Sequence, residues 1–304
     1  MIKKFLKRYL KRQDIWSIGI YMGDSPCYLS SPKDIENPVL TAKDVTDREA
    51  LFVADPFMVY EQNGWHMFFE VLNRATEKGE IGLAVSRDGK SWKYQQIVLS
   101  EPFHLSYPYV FKWQGEFYMV PESHEKQAIR LYQATSFPYR WEFRKDLLRG
   151  FSFVDSSLFH YDDRWWLFTC PTNKNDVLTL FYASNLWGPW IEHPANPIVK
   201  ENVHIARCGG RITKWEDKVI RYAQDDYPNY GSCLYAFEIT KLTDKEYEEI
   251  PYANYPVLKA GKRGWNKDGM HHIDPHCLGR GKWIVCVDGQ RGAIELKARA
   301  QNEK

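Results

Sequence analysis

Three carboxylates lie at related places in similar segments of this 304-residue chain, and such groups can perform acid–base chemistry. Asp55 lies in FVADPF and Asp155 in FVDSSLF, each ten residues before a tryptophan, whereas Glu122 lies at the end of a third segment, YMVPE. Carboxylates that converge cannot all ionise cheaply, so their pKa values are pushed apart. Glycosyl chemistry needs one carboxylate ionised as base or nucleophile and another protonated as acid. We therefore predict these three residues as catalytic.

Two arginines, Arg207 and Arg211, flank Cys-Gly-Gly in a fourth similar segment. A guanidinium group presents a planar fork of donors that suits phosphate oxygens, so the two arginines predict a phosphate or substrate contact. The alternative is that they pair with Asp225 or Asp226 in a structural network.

A fifth segment, HHIDPHC, crowds three histidines around one carboxylate. His271, His272, Asp274 and His276 could together ligate a metal ion. Histidines that alternate along a strand more often form hydrogen bonds across a channel. We therefore predict substrate contacts for this group, and no metal site.

Aromatic side chains make up 15% of the chain, with 12 Trp, 19 Tyr and 16 Phe. Such an excess favours strands over a helical bundle, and it also provides rings that stack on the apolar faces of sugars. Tyr107 and Trp265 are the rings that we predict to contact substrate.

The elements that position these residues are predicted by a repeat. Each of five segments reads as a short strand, a polar turn and a second strand, and the segments recur about every 50 residues, as in a β-propeller. The residue ten positions before each second strand is, in turn, Asp55, Tyr107, Asp155, Cys208 and Ile273. Because the innermost strands of a propeller line its central channel, these five positions should form a ring at one mouth.

The second half of each repeat predicts two outer strands, and their order around the ring is circular. Such halves begin at Ile81, Ile129, Leu178 and Cys233, but the fifth repeat lacks one, and residues 16–40 resemble it instead. We predict an all-β fold, a five-bladed propeller over residues 14–304 that is closed by an N-terminal strand, which hides the open sheet edges. The alternative is a β-sandwich or two smaller β domains.

Residues 1–13 predict a separate amphipathic helix. Their apolar residues recur at helical spacing and the opposite face holds six basic residues, which suits peripheral contact with an anionic membrane surface. The alternative is a helix that docks on its own propeller or on a partner. Removing these six from the 41 basic residues leaves 35 against 39 acidic ones, so the body predicts no nucleic-acid partner.

The six cysteines are scattered and form no C-x-x-C pair, which predicts reduced thiols. The chain also lacks an apolar run of about 20 residues and an apolar signal segment. We therefore expect a cytoplasmic protein, peripheral to the inner face of the membrane if residues 1–13 bind lipid.

An ordered set of motifs adds a resemblance to known proteins. ADPF at Ala54, SYPYVF at Ser106, FVDSSLF at Phe153 and ARCGGR at Ala206 resemble the five-bladed furanosidase-type propellers, such as family 43 of the glycoside hydrolases. They look closer still to the N-terminal propeller domain of glucosamine inositolphosphorylceramide transferase. The resemblance implies a carbohydrate-active fold that serves surface glycan or glycolipid assembly.

The family 43 pattern implies that Asp55 is the general base and that Asp155 tunes the acid and positions substrate. The family's general acid is a Glu in the fourth blade, where this chain has Arg207, Cys208 and two glycines. Either Glu122 supplies the proton instead, or the arginines bind a phosphate leaving group that needs no strong acid.

We therefore expect glycosyl transfer from a sugar nucleotide or sugar phosphate. The alternatives are a family 43-like glycoside hydrolase and a glycan-binding propeller that has lost catalysis. No cofactor is required for this chemistry, and the sequence leaves divalent-cation dependence and oligomeric state open.

Overall fold

The computed structural model describes residues 10–172 and 174–296, and for residues 10–13 and 294–296 the backbone only. The described part is almost entirely β-structure, with two short 3-10 helices, Ala42–Asp44 and His124–Lys126. Within it, no helix is long and apolar enough to cross a membrane. The all-β five-bladed propeller that the repeat predicts is confirmed by five sheets arranged as blades.

The first two strands in the chain are β1 (Leu10–Ser25) and β2 (Tyr28–Ser30). Blade I follows with β3 (Ala50–Glu61), β4 (Gly64–Asn73), β5 (Lys78–Ser86) and β6 (Lys93–Leu99). Blade II has β7 (Ser106–Trp113), β8 (Glu116–Glu122), β9 (Ala128–Ser136) and β10 (Arg140–Arg149). Blade III has β11 (Val154–Tyr161), β12 (Arg164–Cys170), β13 (Thr179–Ala183) and β14 (Ile191–Glu192).

Blade IV has β15 (Thr213–Trp215), β16 (Lys218–Asp225), β17 (Cys233–Leu242), β18 (Tyr247–Pro251) and β19 (Leu258–Lys259). Blade V has β20 (Ile273–Gly279) and β21 (Lys282–Leu296). The sheet of blade V runs β2-β1-β21-β20, and β1 pairs antiparallel with β21 from Leu10 to Gly23. The first and last described strands therefore lie side by side in one blade.

The expected helix over residues 1–13 is not supported. Residues 10–13 belong to β1, where Leu10 pairs with Leu296 and Gln13 with Ala293, and residues 1–9 lie outside the described part. An isolated short helix is marginal in water, whereas a partner strand satisfies the hydrogen bonds of the whole segment. The expected boundary between residues 13 and 14 therefore falls inside a strand.

The core lies between the faces of neighbouring blades. Phe68 of blade I meets Trp141 of blade II edge-to-face, with ring centroids 5.3 Å apart, and His66 of blade I meets Phe137 of blade II at 5.0 Å. Such aromatic pairs stabilise beyond the area that they bury, by about 0.5–1.5 kcal/mol each. Aromatic packing therefore stabilises the arrangement of the blades around the channel.

Candidate active site at one mouth of the channel

Three of the predicted ring positions share a backbone feature. Asp55, Tyr107 and Asp155 have φ values of 52°, 44° and 43°, and the strand register shifts at each of them. A bulge of this kind turns a side chain out of the regular alternation of a strand. The left-handed conformation costs about 1–3 kcal/mol for a non-glycine residue, and such strain concentrates at functional sites.

Carboxylates of the preceding blade accept hydrogen bonds from the bulged amides. The amide of Asp55 donates to Asp288 Oδ2 at 3.2 Å, and that of Asp155 donates to Glu122 Oε2 at 3.2 Å. The amide of Tyr107 donates to Asp55 Oδ2 at 3.3 Å. The bulges thus bring carboxylates of neighbouring blades together at the channel mouth.

Arg207, which belongs to the fourth blade, lies among these carboxylates. Its Nε donates to Asp155 Oδ2 at 2.6 Å, and its Nη2 lies 3.7 Å from Glu122 Oε2. Its Nη1 donates to Asn175 Oδ1 at 3.2 Å, and its guanidinium carbon lies 5.1 Å from the centre of the Tyr230 ring. The expected alternative pairing of Arg207 with Asp225 or Asp226 is not the one that forms.

One carboxylate oxygen in this group is unsatisfied. Gln224 Nε2 also donates to Asp155 Oδ2, at 2.5 Å, so that oxygen accepts two hydrogen bonds. Asp155 Oδ1 is buried and accepts none within the described part of the chain. A buried acceptor without a donor carries a desolvation penalty, which a donor of a bound ligand can remove.

His271 bridges two carboxylates at the same mouth. Its Nδ1 lies 2.8 Å from Asp288 Oδ1 and its Nε2 lies 3.7 Å from Asp55 Oδ1, while the ring stacks on Trp16 at 4.1 Å. Burial lowers the pKa of His271, but Asp288 and Asp55 outweigh it and raise the pKa to about 9. At neutral pH the ring is therefore an imidazolium between two carboxyl groups.

The same three residues, Asp55, His271 and Asp288, could hold a metal ion, since their ligand atoms lie within 4.8 Å of one another. Ligation requires a neutral imidazole with a free nitrogen. Because the pKa of His271 is raised to about 9, a proton competes with any metal at neutral pH.

The carboxyl groups divide into two classes of pKa. Burial raises the pKa of Asp55 to about 6, with Asp288 and Glu122 adding to the rise and His271 and Arg207 opposing it. Burial also raises the pKa of Asp155 above its ordinary value, against the effect of Arg207.

Glu122 and Asp288 behave in the opposite way. Burial acts to raise the pKa of Glu122, but hydrogen bonding to the His124 side chain, the charge of Arg207 and hydrogen bonding to the Asp155 side chain lower it to about 2. The pKa of Asp288 is likewise lowered, because His271 outweighs burial. Glu122 is therefore held as an ionised partner of Arg207, which favours electrostatic positioning, and its expected role as proton donor stays a prediction.

Sequence reasoning missed two acidic residues of this group. Glu70 and Asp288 are buried on the second strands of blades I and V, as Glu122 is in blade II. They lie five residues after Trp65 and Trp283, as Glu122 lies five residues after Phe117. The repeat alignment therefore contained the signal for both. We call the whole group the mouth cluster: Asp55, Glu70, Glu122, Asp155, Arg207, His271 and Asp288.

Two predicted contact residues fill the channel instead of facing a ligand. Tyr107 is fully buried, and its hydroxyl binds Ser157 Oγ at 2.8 Å and donates to the Gly210 carbonyl at 3.1 Å. His272 is fully buried as well, and its Nε2 donates to the Pro56 carbonyl at 2.9 Å. No part of either side chain is accessible, so the contacts seen for both are structural, and their contact with substrate stays a prediction.

Blades IV and V approach closely next to Tyr107 and His272, and this close approach requires glycine. A Cβ on Gly210, whose φ is +141°, would lie 1.7 Å from the Ile273 carbonyl oxygen. This close contact lies between Arg207 and Arg211, which therefore diverge along the channel.

Arg211 belongs to a second group toward the hairpin-turn end of the inner strands. Its Nε donates to Asp274 Oδ1 and its Nη2 to the Val110 carbonyl at 2.9 Å. Asp274 Oδ2 also accepts from the Met58 amide at 2.5 Å and from His276 Nε2 at 2.9 Å. We call Arg211, Asp274 and His276 the Arg211 cluster.

The Arg211 cluster is saturated. Asp274 is fully buried, and although burial acts to raise its pKa, Arg211 and His276 hold that pKa well below its ordinary value. Arg211 and Asp274 thus bind each other and the backbone, and their contact with substrate stays a prediction.

Trp265, also predicted to stack on substrate, is half-buried against blade V. Its ring would lie 2.6 Å from a Cβ on Gly19 of β1 and 2.5 Å from a Cβ on Gly289 of β21. The two glycines allow the ring to pack flat on this strand pair. Trp265 therefore covers the blade that joins the two ends of the described chain.

Residues 11–290 match the family model described as glucosamine inositolphosphorylceramide transferase 1, N-terminal. Proteins named glucosamine inositolphosphorylceramide transferase 1 are 39% identical in Oryza sativa subsp. japonica, over 298 residues, and 36% identical in Arabidopsis thaliana, over 299 residues. Each alignment covers 91% of this chain but only 40% and 39% of the respective relative. The chain thus spans about two fifths of the length of these relatives.

Solved structures share the fold at low sequence identity. The catalytic domain of the Coprinopsis cinerea GH62 alpha-L-arabinofuranosidase has a TM-score of 0.62 at 12% identity, covering 81% of this chain and 92% of that one. A thermostable family-43 glycoside hydrolase has a TM-score of 0.59 at 14% identity, covering 89% and 98%. These likenesses establish a shared propeller architecture.

Proposed function

The chain belongs to the family of the N-terminal region of glucosamine inositolphosphorylceramide transferase 1, and on this premise we propose that its mouth cluster binds a sugar phosphate or sugar nucleotide and catalyses glycosyl transfer. The product would be a surface glycan or glycolipid. The observation that carries this proposal is the place of Arg207 between two carboxylates, Asp155 and Glu122, at the point where the hydrolase pattern calls for an acid.

Arg207 supplies the positive charge that a phosphate leaving group needs. A guanidinium group has five N–H donors, and the contacts with Asp155, Glu122 and Asn175 use only part of them. Because Asp155 and Glu122 hold the group in place, its remaining donors are preorganised for phosphate oxygens. Such a leaving group needs less help from a general acid than an alkoxide does.

Asp55 is the proposed base. With a pKa of about 6 it is mostly ionised at neutral pH, yet basic enough to take a proton from an acceptor hydroxyl. In the proposed step the anomeric carbon loses its bond to the phosphate oxygen, which keeps the electron pair. The acceptor oxygen forms the new bond, and its proton passes to Asp55. Asp155, through its unsatisfied Oδ1, orients a sugar hydroxyl.

A second candidate is a glycan-binding propeller without catalysis. It is favoured by the ion pair between Arg207 and Asp155, which occupies the place of the missing acid. A hydrolase of the family 43 type is less favoured, because Arg207 and Cys208 stand in the fourth blade where that pattern places its Glu.

The experiment that separates these candidates measures turnover and thermal stabilisation with sugar nucleotides, sugar 1-phosphates and aryl glycosides, in Mg²⁺ and in EDTA. We expect Asp55→Asn to lower turnover about 10²–10⁴-fold, the usual contribution of a general base, while ligand-induced stabilisation remains. Asp34→Asn, an exposed aspartate paired with Lys90, is the matched control. Stabilisation without turnover would support the binding propeller. Absence of both stabilisation and turnover would reject a carbohydrate site.

We propose that pairing of β1 with β21 closes the ring, and that the basic residues before β1 bring the protein to the cytoplasmic face of an anionic membrane. Co-sedimentation with phosphatidylserine vesicles tests the second idea, and equal binding with and without residues 1–9 would reject it.

A further inference from the structure

The second strands of three blades place a carboxylate at the same position, but only two of these carboxylates bind the bulged amide of the next blade. Asp288 accepts from the Asp55 amide and Glu122 from the Asp155 amide. The equivalent amide for Glu70 is that of Tyr107, and it donates to Asp55 Oδ2 instead. Glu70 therefore lacks the backbone donor that stabilises the charge of its counterparts.

His104 lies beside the Glu70 side chain, and its contacts favour the neutral form of its ring. The Gly79 amide donates to His104 Nδ1 at 3.0 Å, which fixes Nδ1 as the acceptor and leaves the ring proton on Nε2. That Nε2 lies 3.4 Å from Glu70 Oε1. A proton on Nδ1 would face the Gly79 N–H, so this geometry opposes an imidazolium ion. Burial also lowers the pKa of His104, and it outweighs the opposing charges of Glu122 and Glu125.

The charges with the largest effect on Glu70 belong to other carboxyl groups. Burial raises the pKa of Glu70 well above its ordinary value, and Asp55, Glu122, Asp155 and Asp288 raise it further. Its side chain is only 7% exposed. A buried carboxyl group without a cation or a backbone donor takes up a proton instead of bearing a charge.

We propose that Glu70 holds a proton at neutral pH and delivers it to the oxygen that leaves the anomeric carbon, the role for which the fourth blade has no acid. This inference rests on the proposed glycosyl chemistry. The bond from the anomeric carbon to the leaving oxygen breaks, that oxygen keeps the electron pair and takes the proton of Glu70. The acceptor hydroxyl forms the new bond and gives its proton to Asp55. Asp55 then releases this proton to water and Glu70 takes one up from water, which restores both groups.

The protonation state of Glu70 can be measured without any substrate. Infrared difference spectra at pH 8, where Asp55 is ionised, should show a protonated carboxyl band that Glu70→Gln removes. Glu122→Gln is the matched control and should remove only carboxylate bands. Glutamine resembles a neutral glutamic acid, so Glu70→Gln should keep the wild-type Tm, and loss of folding or an unchanged carboxyl band would overturn the proposal.

The donor role is tested with leaving groups of different basicity. We expect Glu70→Gln to lower kcat/KM about 10²–10⁴-fold for alkyl glycosides, and less than tenfold for nitrophenyl glycosides, which leave without help. An equal loss for both classes would overturn the donor role while leaving glycosyl chemistry intact. A Glu70 carboxyl band with no turnover of any substrate by the wild type would reject the proposed function, and the donor role with it.

Discussion

The mouth cluster and the Arg211 cluster are built from the same residue types, yet they differ in how completely their charges are satisfied. In the Arg211 cluster, the Asp274 carboxylate receives donors from Arg211, His276 and the Met58 amide, and it is fully buried. In the mouth cluster, five carboxyl groups share two cations, Arg207 and His271, and one oxygen of Asp155 has no donor within the described chain. A saturated pair stabilises a fold, whereas an unsaturated cluster leaves capacity for a ligand.

The backbone separates the two regions in the same way. The left-handed bulges at Asp55 and Asp155 lie at the mouth, and the Asp274 side chain projects from the regular strand β20. Between the regions the hydroxyl of Tyr107 joins blades II, III and IV. Tyr107 therefore separates the Arg211 cluster, which stabilises the fold, from the mouth cluster, which is available for chemistry.

Breaking the Arg211 cluster should have the largest effect on stability. Arg211→Met leaves the Asp274 charge buried without its main partner, and we expect a loss of about 3–5 kcal/mol in the free energy of unfolding. Urea denaturation measures this loss. Arg144→Met, which removes a partly exposed pair with Glu142, is the control and should cost less than about 1 kcal/mol. A similar small loss for Arg211→Met would show that the two regions do not differ as described.

The two regions should respond to pH in opposite directions. The pKa of His271 is raised to about 9, so its stabilising charge is fully present below its ordinary pKa and is lost as pH rises through 9. We expect the unfolding free energy to fall by up to about 3 kcal/mol between pH 7 and pH 10, because His271 loses its proton in this range. The pKa of Asp274 is lowered, so its contribution is lost only on the acid side.

Denaturation curves between pH 4 and pH 10 test this contrast, with His271→Gln as the variant. The variant should be less stable than the wild type at pH 7 and should lose much less stability toward pH 10. If both proteins lose the same stability above pH 8, the imidazolium of His271 is not what holds the mouth cluster together.

The sequence predicts the ring positions well and their surroundings poorly. Asp55, Tyr107 and Asp155 follow from the repeat, because equal spacing in a propeller means equal position around the channel. The left-handed bulge that aims them is not encoded by one residue type, since aspartate and tyrosine both adopt it. Glu70 and Asp288 were within reach of the same alignment.

Other features depend on partners distant in the chain. Arg207 and Arg211 are only four residues apart, and their separation depends on the contact of Gly210 with Ile273 in another blade. The strand at Leu10 depends on β21, near the other end of the described chain, so local helical periodicity predicted the wrong element. The cause in both cases is tertiary pairing, which local pattern does not contain.

The central claim is that the mouth cluster, through Arg207, binds an anionic sugar donor. Isothermal titration with UDP-glucose and glucose 1-phosphate tests it in the wild type, in Arg207→Met and in the control Arg74→Met, an exposed arginine paired with Glu49. Loss of charge-assisted hydrogen bonds worth about 1.5–3 kcal/mol predicts a Kd that rises about 10–100-fold in Arg207→Met and is unchanged in the control. Equal affinity of the wild type and Arg207→Met, or no binding by the wild type, would contradict the claim.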